Sequence, residues 1–381
     1  MLIKNAKIYT MDRPGIIENG FIAVKNGKII EVGDMKLCPK NDDEVIDADK
    51  MCAVPGYIDA HSHIGMWEDG LGFEGDDGNE ETDPITPQLR AIDAINPMDR
   101  AFKEALSAGI TTVVTGPGSA NPIGGQLLSM KTYGHCTDKM VLKAPLAVKM
   151  AFGENPKTIY NDKNQSPITR MAVASEIREA LFKAQEYLAR LEDFKDENRD
   201  DPPDFDMKSE ALIPLLKREI QLHAHAHRAD DIFTAIRIAE EFNLDLVLVH
   251  ATEGYLIADD IKEKNIPVLI GPIISDRSKP ELRNQSDGAA ATLANSGVSL
   301  AIICDHPVTP QKFLAFSAKI AIENGLDDYE ALKAITCNPA DICSLSDRVG
   351  RIKKGMDADI LLGKEPLMTK PKTVIAGGKV C

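Results

Sequence analysis

Apolar residues recur along this chain with two different periods, and the change between them divides it. Over residues 1–54 short runs alternate apolar and polar positions between tight turns, as in Phe21-Ile22-Ala23-Val24-Lys25-Asn26-Gly27-Lys28-Ile29-Ile30, where Asn26-Gly27 has hairpin-turn chemistry. Residues 350–381 repeat this grammar in Ala358-Asp359-Ile360-Leu361-Leu362 and Thr373-Val374-Ile375-Ala376-Gly377-Gly378. Neither segment can bury a core alone, so the two are expected to pack as one composite β-sandwich domain.

Between them strand and helix patterns alternate. Residues 98–108 put Phe102, Ala105 and Leu106 on one helical face, Gly109 stops the helix, and Thr111-Thr112-Val113-Val114-Thr115 is β-branched strand material. After Ser166-Pro167, Val173, Ile177, Leu181, Ala184, Leu188 and Leu191 recur at three- and four-residue steps, which predicts a long amphipathic helix. Strands are expected over 57–63, 146–152, 220–226, 244–250, 266–271 and 298–305, with helices over 232–242, 254–264 and 287–295. With 111–115 that makes seven parallel strands, and 126–131 is a weaker eighth. The prediction is an α/β fold, a TIM-like (β/α)8 barrel over 55–349. A doubly wound sheet is the alternative, but the polar, ligand-capable residues fall at the C-terminal ends of many strands and not at a single switch point. Gly116-Pro117-Gly118 and Gly124-Gly125 lack the spacing of a phosphate-binding loop.

The chemistry gathers at those strand ends. The run Val54-Pro55-Gly56-Tyr57-Ile58-Asp59-Ala60 leads into His61-Ser62-His63, and side chains two apart on a strand share a face. His223, His225 and His227 alternate in the same way, His250 closes Leu246-Val247-Leu248-Val249, and Asp305 follows Leu300-Ala301-Ile302-Ile303-Cys304. Imidazoles and a carboxylate converging on one rim make a transition-metal site. Alone, each has a plainer reading: a hydrogen-bonded histidine pair, or an aspartate capping a helix.

Composition narrows the partners. The 381 residues carry a formal net charge of -15, which disfavours nucleic acid and anionic membrane surfaces and leaves a small-molecule substrate. The first ten residues interleave lysines with apolar residues, unlike a signal peptide, and no run of about 20 apolar residues spans a bilayer, so a cytoplasmic protein is expected. The 7 cysteines are scattered without a CxxC pair, so they read as reduced and structural, with Cys304 notable only for adjoining Asp305. Assembly into a homo-oligomer is left open.

On Pro55-Gly56-Tyr57-Ile58-Asp59-Ala60-His61-Ser62-His63, the histidine-ended strands, Asp305 and the closing run Gly350-Arg351-Ile352-Lys353-Lys354-Gly355-Met356-Asp357-Ala358-Asp359-Ile360, the chain resembles the metal-dependent amidohydrolase superfamily, near its imidazolonepropionase-related branch. The resemblance implies one or two divalent ions, usually zinc, held by His61, His63, His225, His250 and Asp305. His225 is chosen over its neighbours because His225-Ala226-His227-Arg228 fits the family's register; His223 fits it less well. A two-ion member needs a bridging carboxylate, and Lys149, if carboxylated, or Glu154 could supply it; the rim position of Glu154 favours the latter. The implied reaction is hydrolysis of an amide, cyclic amide or peptide-like C–N bond by metal-activated water, with Asp305 moving the proton and His250 an alternative base. His227, Arg228, His306 and Arg90 are candidate substrate contacts. Acidic Glu74, Asp76, Asp77, Glu80 and Glu81 hint at a cationic substrate, and residues 68–83 are either a solvated loop or a lid. Deamination ranks second because Arg228 stands where deaminases carry a glutamate. A non-catalytic assembly module, which would bind no metal, is the remaining class.

Overall fold

The computed structural model describes residues 1–40, 44–68, 70–195 and 201–381. Five strands open the chain: β1 (Leu2–Tyr9), β2 (Ile16–Lys25), β3 (Lys28–Asp34), β4 (Val45–Asp47) and β5 (Cys52–Pro55). Eight follow: β6 (Tyr57–Ser62), β7 (Ile110–Thr115), β8 (Ile123–Lys131), β9 (Val141–Ala151), β10 (Gln221–Ala226), β11 (Leu246–His250), β12 (Val268–Ile270) and β13 (Leu300–Ile302). The last three are β14 (Ile360–Gly363), β15 (Thr373–Ala376) and β16 (Lys379–Val380).

The two ends of the chain make one hydrogen-bonded sheet in the order β16-β15-β14-β5-β1-β2-β3, with β4 on β1. Asn26 and Gly27 both take positive φ, 52° and 74°, as the tight turn between β2 and β3 requires. Antiparallel pairing of β14 with β5 ties the C-terminal segment to the N-terminal one.

The other sheet runs β6 to β13 in sequence order, a TIM-like barrel beside the terminal sheet. Outward residues such as Leu222, Ala224 and Leu248 share an apolar layer with Val173, Ile177, Leu181 and Ala184 of helix Arg170–Lys195. Inward residues, among them Ala60, Val114, Ala147, Val249 and Ile303, pack with Ala340, Ile342 and Val349. That segment plugs the N-terminal end, because Gln221, at the start of β10, donates to the Ile342 carbonyl at 2.8 Å. Among the described residues no helix is long and apolar enough to cross a membrane.

The eighth strand corrects the expectation of uniform parallel pairing. β8 is present, longer than expected, but antiparallel to both β7 and β9. Only residues 116–122 connect β7 to β8, too few for a crossover helix, and so short a link reverses the chain. That link lies at the same rim as the ends of β9 to β12 and contributes to the site.

No ladder joins β6 to β13, yet the barrel closes there. The Asp305 amide donates to the His61 carbonyl (3.3 Å) and the His63 amide to the His306 carbonyl (2.9 Å). Below them the buried Asp59 carboxylate accepts from the amides of His61 and Cys304, at 3.3 and 3.4 Å.

Candidate metal centre

The rim gathers two sets of possible ligands, His61–His63–Asp305 and His225–His227–His250, whose donor atoms within each set lie within 4.8 Å of one another. The rings of His61 and His250 are 5.7 Å apart, so the sets adjoin. Both open on a pocket of about 1110 Å³ lined by His63, His225, His227, His250, Asp305 and His306.

Strand geometry aims the first set. His63 Nδ1 lies 2.7 Å from the Gly116 carbonyl, which can only accept, and its Nε2 lies 3.2 Å from Asp305 Oδ1. His61 Nε2 is 3.5 Å from the same oxygen. Asp305 is not the last residue of its strand as expected. β13 ends at Ile302, and the chain then turns inward with Asp305 at φ 55°. His250, likewise left-handed at φ 71°, donates from Nδ1 to the Gly271 carbonyl at 2.7 Å. Side chains other than glycine adopt this backbone only where surroundings enforce it, and here it turns two candidate ligands toward one spot.

In the second set His225 Nδ1 pairs with Ser119 Oγ at 2.9 Å, and His227 Nδ1 with Thr252 Oγ1 at 2.6 Å. His227 stacks on His250 with ring centres 4.7 Å apart. Burial pushes His61, His225 and His227 well below the ordinary imidazole range and His250 to about 4, so all four are neutral, the state that binds a cation. Burial acts against ionisation of Asp305 too, but His250 and His63 outweigh it and hold the carboxyl near 2.

Lys149 and Glu154 separate clearly. Lys149 is fully buried on β9, its Nζ 2.9 Å from His61 Nε2, and burial drags its pKa from 10.5 to about 7. Glu154 lines the pocket but faces away from both sets: its Oε2 accepts the Glu281 amide at 3.0 Å, while Glu281 Oε2 accepts the Glu154 amide at 3.1 Å. The geometry therefore puts Lys149, not Glu154, beside the ligands. Glu154, which its rim position favours as the bridging ligand, opens helix Glu154–Asp162 and binds the loop that carries Glu281.

Other expectations divide. His223 is buried inside β10 against Gln221 and belongs to neither set. His306 is on the pocket wall. Arg90 and Arg228 are not: Arg90 is exposed and paired with Asp93, and Arg228 pairs with Asp230 before helix Ala229–Glu241. None of Glu74, Asp76, Asp77, Glu80 and Glu81 lines the pocket. Of residues 68–83, Asp69 lies outside the described residues, while Glu68 and Asn79 reach the pocket and Phe73 points to solvent.

The sequence reading passed over four neighbours of the site. Trp67, the single tryptophan, stands edge-on to His63 with ring centres 4.8 Å apart. Asn155, Lys279 and the buried Glu281 form a wall beside His225 and His227. Trp67 alone had a usable cue, a large aromatic four residues past a candidate ligand.

The amidohydrolase tasK of Hapsidospora irregularis is 29% identical over 95% of this chain, and an adenine deaminase of Listeria welshimeri is 22% identical over 100% of it. The chain spans only 41% and 57% of those proteins. The crystal structure of an amidohydrolase from Thermotoga maritima superposes with a TM-score of 0.95 at 40% identity, covering 100% of this chain and 98% of that one. Residues 52–381 match the amidohydrolase family, a span that holds both ligand sets and Lys149, and the chain belongs to that family.

Proposed function

We propose that the protein hydrolyses a C–N bond of a small amide, cyclic amide or dipeptide-like substrate with two divalent cations, zinc by the imidazole and carboxylate character of the donors. His61, His63 and Asp305 would hold one, His225 and His250 the other, and Lys149, carboxylated on Nζ, would serve both. The placement of Lys149 carries this reading. Desolvation keeps its amine neutral down to about pH 7, and a neutral amine can add CO2, releasing a proton to give an anionic carbamate. That charge answers the excess of positive charge that neutral imidazoles leave on two cations.

The cations supply Lewis acidity toward the scissile carbonyl and make a water acidic. Asp305, ionised and open to the pocket, accepts the proton of the attacking water and returns it to the leaving nitrogen. His227 and His306 are placed to bind substrate oxygens, and Trp67 offers an apolar wall. His225-Ala226-His227 supports the imidazolonepropionase-related branch, and the seven free cysteines suit a reducing cytoplasm.

Deamination stays second for a structural reason. Glu253, three residues past His250, is 6% exposed, and its carboxylate accepts from the Ala229 amide and from Asn284 Nδ2 at 2.8 and 2.7 Å. It does not line the pocket, so it cannot shuttle a proton there. The test is a panel of N-acyl amino acids, dipeptides and cyclic ureides, run beside adenine, on zinc-replete protein of known metal content. Release of amine with zinc bound is the expected result. Protein without metal, or without turnover on every amide, defeats the proposal, and ammonia from adenine alone would replace it with deamination.

A further inference from the structure

The first ligand set includes a carboxylate, Asp305; the second, His225–His227–His250, consists of imidazoles alone. The carboxylate nearest it is Glu281, 1% exposed, on the turn Pro280–Leu282 between β12 and helix Ala289–Asn295. Its Oε1 stands 3.6 Å from His227 Nε2 and 3.8 Å from His225 Nε2. Donors each roughly 2.0–2.2 Å from one tetrahedral ion are themselves roughly 3.3–3.6 Å apart. The observed spacing is within a few tenths of an ångström of that. The other oxygen is fixed by the Glu154 amide, so the carboxylate cannot swing away.

The same Oε1 is 2.6 Å from Lys279 Nζ, which also donates to Asn155 Oδ1 at 2.7 Å.

Resting on the two-cation reading, we infer that Glu281 is a further anionic member of the second cation's site beside the carbamate proposed on Lys149, and that Lys279, sharing its Oε1, weakens that site by competing for the carboxylate. The carbamate proposed on Lys149 is shared with the first cation and the imidazoles beside the second are neutral, so part of that ion's charge is left unbalanced in a buried setting, and Glu281 balances part of it. Lys279 takes back part of that balance. The ion pair therefore sets how tightly the second ion is held, independently of the first.

The two residues must act with opposite signs, which makes the test sharp. Zinc-loaded protein is equilibrated against buffers of graded free zinc, and retained zinc per chain is read by elemental analysis, with Co2+ absorbance as a second probe. Glu281→Gln should weaken the second ion by about 10–100-fold, the range for a partner of a metal ligand. Lys279→Met should tighten it several-fold, and neither change should move the first ion. The carboxamide in Glu281→Gln retains an acceptor for the Glu154 backbone amide; should that variant nonetheless misfold by circular dichroism, Lys279→Met decides alone. A folded Glu281→Gln protein with wild-type affinity for both ions overturns the inference and leaves the two-cation reading standing, as does a Lys279→Met protein that holds the second ion more weakly. Wild-type protein that binds one ion, undiminished by His225→Ala, overturns the two-cation reading and the inference with it.

Discussion

Lys149 makes the stability of this fold depend on pH in an unusual direction. Its only hydrogen-bond partner among the described residues is His61, and in the fold it releases its proton near pH 7, against 10.5 for an ordinary lysine. Between those values the unfolded chain binds a proton that the folded chain has lost, so stability rises with pH across the window and is at its lowest below about pH 7. Urea unfolding of chelator-treated protein at pH 7 and pH 9 should show that rise, and Lys149→Met should flatten it; an equal rise in the variant would acquit the lysine. On the proposed reading the same residue decides the metal content. Lys149→Ala should cost one ion per chain by elemental analysis, whereas Glu154→Gln should keep both; the reverse would restore Glu154 as the shared ligand. Asp305→Asn retains the side chain's size but cannot accept a proton, so kcat on an amide found by the panel should fall by about 10²–10⁴-fold with most of the metal kept. A near-wild-type kcat would pass the proton-transfer role to His250 or His306.

At the scale of elements, the loops matter as much as the strands. Glu154 and Glu281 each accept the other's backbone amide, which pins the loop after β12 to the start of helix Glu154–Asp162. Glu154→Ala removes one of these bonds and should raise hydrogen exchange across residues 271–288 while leaving β9 and β10 protected; unchanged exchange there would show that the clamp is redundant. The paired histidines are readable in the sequence because a strand's two-residue period fixes which side chains share a face, whereas Asp305 lies three residues past β13 on a left-handed turn that the period does not describe. Nothing comparable marks Lys279 and Glu281, on a loop whose path depends on tertiary contacts. The choice between Lys149 and Glu154 is not legible in the sequence for a related reason: both have the right chemistry, and the turn after Phe152 decides how each one faces. Arg90 and Arg228 were proposed from charge alone, and charge without periodicity says nothing about direction. β8 was found but given the wrong direction, because its strand pattern is indifferent to polarity while the short link before it is not.

Across the whole molecule, the barrel and the terminal sheet are joined by buried charge. Lys131 of β8 reaches Asp359 at 2.5 Å and Asp357 at 3.0 Å, just ahead of β14, and Asp357 also binds Arg348 and Lys28 of β3. Lys131→Met removes the ammonium that Asp357 and Asp359 share and should cost about 3–5 kcal/mol in urea unfolding. A loss below about 1 kcal/mol, the level of exposed pairs, would mean water already reaches this junction. We propose that this junction lies between a domain of residues 1–54 with 350–381 and the barrel of 55–349. On the proposed two-cation reading, the edge between β6 and β13, joined by no ladder, would give the first cation a mechanical task. His63 and Asp305 are 242 residues apart in sequence, on opposite sides of that edge, so an ion gripping both acts as a reversible cross-link around nearly the whole barrel. Such a link gains its effect by restricting the unfolded chain, and the longer the loop it closes, the larger the restriction. Chelation should therefore speed hydrogen exchange in β6 and β13 before β9 to β11. As free metal falls, the hoop should then open at the proposed site, and shape and activity should be lost together.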